Sequence, residues 1–171
     1  MRILHFVLGL GLLLGLAGAA TAQQVTRDYD HHAHFEQYHT FMWIRQPNMS
    51  NPLAKQRVVD AVNNALTAKG WQSVTSNADV GIVANGAIRR RQTLNTFYNG
   101  FPGWRWDWGG MSTTTVNTYN VGTLVVDLFD THTHQAIWRG TATDTLSEKP
   151  AKNADKIRKA VDKMFKDFPP K

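Results

Sequence analysis

Hydrophobic and polar positions along the chain follow two periods. Leu53, Val58, Val59, Val62 and Leu66 recur at helical spacing. Asn51 is a suitable N-cap, because its side chain can accept from an unpaired backbone N–H, and Pro52 takes the first helical position, where its missing N–H costs nothing. Gly70 closes the helix as a C′ residue. Near the other end, Ile157, Val161, Met164, Phe165 and Phe168 predict a closing amphipathic helix, stopped by Pro169-Pro170 and preceded by a linker at Lys149 to Lys152.

Elsewhere the period is two. Val80, Ile82, Ala84, Gly86 and Ile88 alternate in a strand, preceded by a short extended piece at Trp71 to Val74 and a turn at Ser76-Asn77. Thr113 to Asp130 predicts another, with Leu124, Val126 and Leu128 on one face and Val125, Asp127 and Phe129 on the other. Thr131 to Gln135 turns, and Ala136 to Leu146 returns antiparallel. Toward the N-terminus, Gln24 to Tyr29 is a short strand, Tyr38 to Ile44 a stronger one, and Gln46 to Ser50 a loop. The order predicts an α+β fold. It is a two-layer sandwich, with a mainly antiparallel sheet of about four or five strands and two helices on one face.

Residues 95 to 112 break both periods and read as a loop holding six aromatic rings among glycines and polar residues. Phe97, Tyr98, Phe101, Trp104, Trp106 and Trp108, with Arg105 to add hydrogen bonds, are the candidate binding residues. Two readings of them stay open: rings that stack on sugars, enter a membrane interface or dock on a protein, and rings that fold back over the open sheet face. His31, His32, His34 and His39 cluster beside Asp28, Asp30 and Glu36. Imidazoles ligate Zn²⁺ or Cu²⁺, but no helical His-x-x-x-His spacing accompanies them, so metal binding is set against a solvated polar segment. His132 and His134 fall in the predicted turn and read as surface residues. Asp127 and Arg139 come opposite each other if the hairpin is symmetric about Thr133, which predicts a cross-strand ion pair. No G-x-S-x-G nucleophile motif occurs, and no cofactor is expected.

The first 22 residues change the picture of where the domain works. Met1-Arg2 and an apolar run through Leu16 lead to Ala20 and Ala22, the small residues that signal peptidase needs. A signal peptide over residues 1–22, cleaved near Ala22, is therefore expected, with a single α+β domain over residues 23–171. The apolar run is shorter than the roughly 20 residues of a spanning helix. No later segment is apolar enough to cross a bilayer, so none spans after cleavage. Cleavage removes one arginine and no acid, which takes the formal net charge from +6 to +5. The basic residues are dispersed apart from Arg89-Arg90-Arg91 and the C-terminal lysines, and export argues against nucleic acid as a partner. The absence of cysteine excludes disulfides, thiolate metal sites and lipid attachment at a signal-peptide cysteine.

Ordered blocks along the mature chain resemble the bacterial domain of unknown function 4136. They are Asp28-Tyr29-Asp30 with Phe35, Tyr38 and Thr40-Phe41; Asn51-Pro52-Leu53, Ala68-Lys69-Gly70-Trp71 and Ala78-Asp79-Val80; Gly122-Thr123-Leu124-Val125-Val126-Asp127 with Ile137-Trp138-Arg139-Gly140; and Phe168-Pro169-Pro170. The resemblance implies an exported protein of Gram-negative bacteria. Many members look like lipoproteins, a pattern from which this cysteine-free chain departs, so a soluble periplasmic or secreted form is implied. The family supplies no activity or catalytic residues to carry over. The expectation is an exported binding or envelope-associated protein without catalytic activity, whose partner is an envelope protein, a glycan or a membrane surface. The alternatives are an enzyme acting on an envelope polymer, using Asp127 or the histidines, and a metal-handling protein.

Overall fold

The computed structural model describes residues 23–98 and 112–170. The expected signal peptide, residues 1–22, lies outside them, as does the segment 99–111. In chain order the elements are β1 (Gln24–Tyr29), a 3-10 turn (Phe35–Gln37), β2 (Thr40–Asn48), α1 (Pro52–Thr67), β3 (Gln72–Ser73), β4 (Val80–Tyr98), β5 (Ser112–Asp130), β6 (Ala136–Thr145) and α2 (Pro150–Met164). The strands form one sheet in the order β1-β6-β5-β4-β2-β3. The first three pairings are antiparallel, while β4–β2 and β2–β3 are parallel. The fold is α+β, with six strands rather than four or five.

Local sequence accounts for the ends of α1. The Asn51 side chain accepts from Ala54 N at 3.1 Å. At the other end Gly70 takes φ +89°, a conformation costly for any residue with a Cβ. Trp71 N then bonds Leu66 O at 3.1 Å and Gly70 N bonds Thr67 O at 3.0 Å, the Schellman pattern. Val58, Val62 and Leu66 are fully buried, each stabilising the fold by about 1.5–3 kcal/mol. They meet α2 (Ala160, Val161, Met164) over the sheet face carrying Val80, Ile82, Ala84, Leu124, Val126 and Leu128. Lys69 Nζ donates to Lys166 O at 3.1 Å, so the C-terminal ends of the helices meet. Phe35, Tyr38, Trp71, Trp138, Phe165 and Phe168 close that end as an aromatic cluster.

Five boundaries differ from expectation. β2 continues through Gln46–Asn48 instead of ending in a loop. Its pairing with β4 slips between Trp43 and Arg45 and again before Asn48, which accommodates buried Pro47, a residue that cannot donate to a ladder. β4 runs to Tyr98 and β5 starts at Ser112, so residues 95–98 and 112 are strand and not loop. Pro150 opens α2, so the supposed linker is its first turn. The helix stops at Met164, and Phe168 lies beyond it, with its N–H on Phe165 O at 3.2 Å.

Candidate functional site

β4 and β5 pair without interruption from Val80↔Asp130 to Tyr98↔Ser112. Their neighbours stop far earlier, β2 at Asn85 and β6 at Val121. Residues 90–98 and 112–120 therefore form a two-stranded ribbon, nine residues per strand and roughly 30 Å long, projecting from the sheet. Ile88, Leu94 and Val116 are 60 %, 66 % and 53 % exposed. Leu94 stands directly opposite Val116, and both continue the face that the helices cover lower down. Arg89, Arg90 and Arg91 are exposed on alternate faces of the same region. Of the candidate binding residues, Phe97 and Tyr98 end β4, paired with Thr113 and Ser112. Phe101, Trp104, Arg105, Trp106 and Trp108 lie outside the described residues, in the segment that joins the two strands.

At the base of the ribbon is a cleft of about 350 Å³. Asn51, Ala54, Arg57 and Val58 of the first turns of α1 line one side, and Pro150, Asn153, Lys156, Ile157 and Ala160 of α2 line the other. Each set recurs at three- and four-residue spacing, so each is one helix face. Gly86, Gly122, Leu124 and Ala142 form the floor, and Met49, Ile88 and Leu146 complete the wall. The space exists because small side chains stand where larger ones fill the core nearer the C-terminal ends of the helices. Gly86 and Gly122 let the walls come close: a Cβ on Gly86 would meet Met49 Cγ at 2.9 Å, and one on Gly122 would meet Leu146 Cδ2 at 2.9 Å. Lys156 Nζ donates to Asp144 Oδ1 at 2.8 Å and to Thr145 O at 2.5 Å. Arg57 has no ion-pair partner among the described residues.

The sequence did not point to this cleft. Its trace there is the set of small residues at inward positions, Ala54, Gly86, Gly122, Ala142 and Ala160, with Arg57 and Lys156 in the N-terminal halves of the two helices.

Asp127 and Arg139 are paired across β5 and β6, as hairpin symmetry predicts. Arg139 Nε donates to Oδ1 at 2.5 Å and its Nη2 to Oδ2 at 3.2 Å. The carboxylate is buried and the guanidinium largely exposed, so the pair holds two strands together on the face away from the helices. The N-terminal histidines do not lie on an extended segment: the chain turns at His31-His32 and enters the 3-10 turn. The His31 ring packs on Tyr29 at 4.4 Å, and His34 Nδ1 lies 3.1 Å from Glu36 Oε1 with both side chains exposed. Among the described residues no three His, Asp or Glu side chains gather to hold a metal ion. Both turn histidines, His132 and His134, are exposed.

Opposite the cleft, two carboxylates tie the strand ends together. Asp79 Oδ2 accepts from His39 N, Thr40 N and Thr40 Oγ1 at 2.9, 2.8 and 2.8 Å, and its own N–H donates to Thr40 Oγ1. Asp130 accepts from His132 N and Thr133 N at 2.7 and 2.9 Å and from Tyr38 Oη at 2.9 Å. These bonds hold both carboxyls below the usual carboxylate range, led by the His39 N–H for Asp79 and the Thr133 N–H for Asp130. Burial first, then the bond to Asp130, pushes the Tyr38 phenol up to about 12.

A carboxyl with a folded pKa below its unfolded value of about 4 stabilises the fold above that pH. The contribution is lost as pH falls through the folded value. Tyr38 acts in the opposite sense: its contribution is complete below about 10 and disappears as pH rises toward about 12. The urea midpoint is expected to hold between about pH 5 and 9 and to fall on both sides. Asp79→Asn and Asp130→Asn should each make the acid limb shallower, and an acid limb unchanged in both variants would refute this assignment.

Among the described residues no helix is long and apolar enough to cross a membrane. The chain aligns with solved structures at low identity. A PDZ domain protein from Parabacteroides distasonis aligns with a TM-score of 0.59 and 13 % identity over 87 % of this chain, which spans 36 % of that longer protein. A DUF4136 family protein from Bacteroides thetaiotaomicron aligns at 0.55 with 17 % identity, covering 86 % of this chain and 96 % of that one. A PelC dodecamer from Paraburkholderia phytofirmans aligns at 0.47 with 16 % identity, covering 82 % and 96 %. The first two likenesses establish shared fold alone. Comparison with curated proteins finds no match. The family model described as a domain of unknown function (DUF4136) matches residues 25–170.

Proposed function

The chain belongs to the DUF4136 family, and on that premise we propose that it is an exported, non-catalytic binding module of the bacterial envelope whose contact element is the β4–β5 ribbon. The observation that carries this reading is the ribbon itself. A two-stranded hairpin is marginal in water, yet this one extends past its neighbours with Leu94 and Val116 exposed along it. The outer edge of β4 beyond Asn85 carries no strand among the described residues. Such an edge offers backbone N–H and C=O groups in a row, which a polypeptide strand matches. The partner is accordingly an envelope protein. The aromatic segment between Tyr98 and Ser112 supplies rings for the same contact.

Site-specific photocrosslinking tests the reading. A benzophenone amino acid at Leu94 should crosslink to an envelope polypeptide, and replacing Trp104, Trp106 and Trp108 by Ala should abolish the adduct. An adduct that persists in the triple variant would remove the tryptophans from the contact, and the protein-partner reading fails if the chain sediments with peptidoglycan sacculi or lipid vesicles and yields no polypeptide adduct.

A further inference from the structure

The cleft at the base of the ribbon differs in character from the ribbon itself, and its role is independent of the ribbon's. We propose that it binds a single acyl chain bearing an anionic headgroup. Its volume, about 350 Å³, is within the range of small-ligand sites. Val58, Leu124, Leu146, Ile157 and Ala160 give it an apolar interior suited to a hydrocarbon chain.

The charged side chains that line it specify the other end of the ligand. Three charged side chains line the cleft, Arg57, Asp144 and Lys156. Asp144 and Lys156 neutralise each other across 2.8 Å, which leaves Arg57 as the cation without a counter-charge among the described residues. The first turns of α1 and α2 both lie on the cleft, and neither contains an acidic residue. The positive ends of two helix dipoles therefore add to the Arg57 charge. Apolar lining and an uncompensated cation together select an anionic amphiphile, and a guanidinium suits the carboxylate or phosphate that such a molecule carries.

The test uses the delipidated mature protein and two probes that share this chemistry, laurate and lauroyl lysophosphatidylglycerol, with dodecanol as the uncharged control. Binding by calorimetry to either anionic probe is expected. Arg57→Glu should weaken it roughly 10- to 100-fold and leave dodecanol affinity unchanged. Ala54→Trp, which fills the cleft from its half-exposed rim, should abolish binding of all three. Both variants should keep the wild-type thermal midpoint, so that loss of binding is not loss of fold. Preference for laurate identifies a free fatty acid, and preference for the lysolipid a glycerophospholipid. Failure of both anionic probes to bind, or unchanged binding in Ala54→Trp, overturns the proposal.

Discussion

Phe168→Ala is expected to destabilise the fold by about 3–5 kcal/mol, the range for deleting a buried aromatic side chain. Phe168 is 3 % exposed and lies outside regular structure, so its role is entirely one of packing. Its ring meets Phe35 at 5.7 Å, Trp71 at 5.2 Å, Trp138 at 5.6 Å and Phe165 at 5.4 Å, each in an edge-to-face or similarly steep arrangement. Edge-to-face pairs add to burial, because the positive ring edge meets a negative ring face. The four partners come from the 3-10 turn, the end of α1, β6 and the end of α2, so truncation loosens four segments at once. For a chain of this size the thermal midpoint should fall by roughly 10 °C or more. A loss under about 1 kcal/mol would show that the neighbouring rings collapse into the space and that Phe168 is dispensable.

Replacing residues 91–119 by Asn-Gly is expected to abolish partner binding while leaving stability nearly unchanged. The two-residue turn would join Arg90 to Asn120, which are paired in the ladder, and Asn-Gly suits the tight hairpin turn required. Asn120 O keeps its bond from Leu146 N at 2.7 Å. The deleted ladder contributes little because a lone two-stranded ribbon is barely stable in water. A thermal midpoint within a few degrees of wild type and loss of the photocrosslinked partner would separate the ribbon's function from the fold. A drop of roughly 10 °C would instead show that the aromatic segment packs against the body of the domain, the self-packing reading of its tryptophans.

The helices and the succession of elements along the chain were legible because their signals are local, whereas the sheet order rests on pairings between distant segments. Asn51, Pro52 and Gly70 mark the ends of α1 through backbone chemistry that depends on no distant partner. The Asp127–Arg139 pair was read from a hairpin symmetric about Thr133, and the pair forms although the ladder slips by one residue between Leu128 and Phe129. Pro47 hid the end of β2, since the pairing slips that admit it belong to β4 as much as to β2. Pro150 was hidden for a different reason: Lys149 makes no side-chain cap, so no capping residue announced the helix that the proline begins.

The ribbon was half legible. Thr113 to Asp130 already reads as one strand of 18 residues, about three times the common length, and that length calls for an antiparallel partner to match. The aromatic composition near Tyr98 obscured that partner's end. The cleft left the faintest trace. It arises where α1, α2, β4, β5 and β6 fail to fill space together, and no single segment records that.

The pairing of β1 with β6 bears on how the chain reaches this state. β1 is made first, but the strand it pairs with runs from Trp138 to Thr143, more than a hundred residues later. Contacts this distant in sequence form late and slow the search for the native state. Until β6 is available, β1 must wait unpaired without sticking to other chains. Its sequence, Gln24-Val25-Thr26-Arg27-Asp28-Tyr29, suits that wait, because adjacent opposite charges and a polar outer face discourage edge-to-edge association.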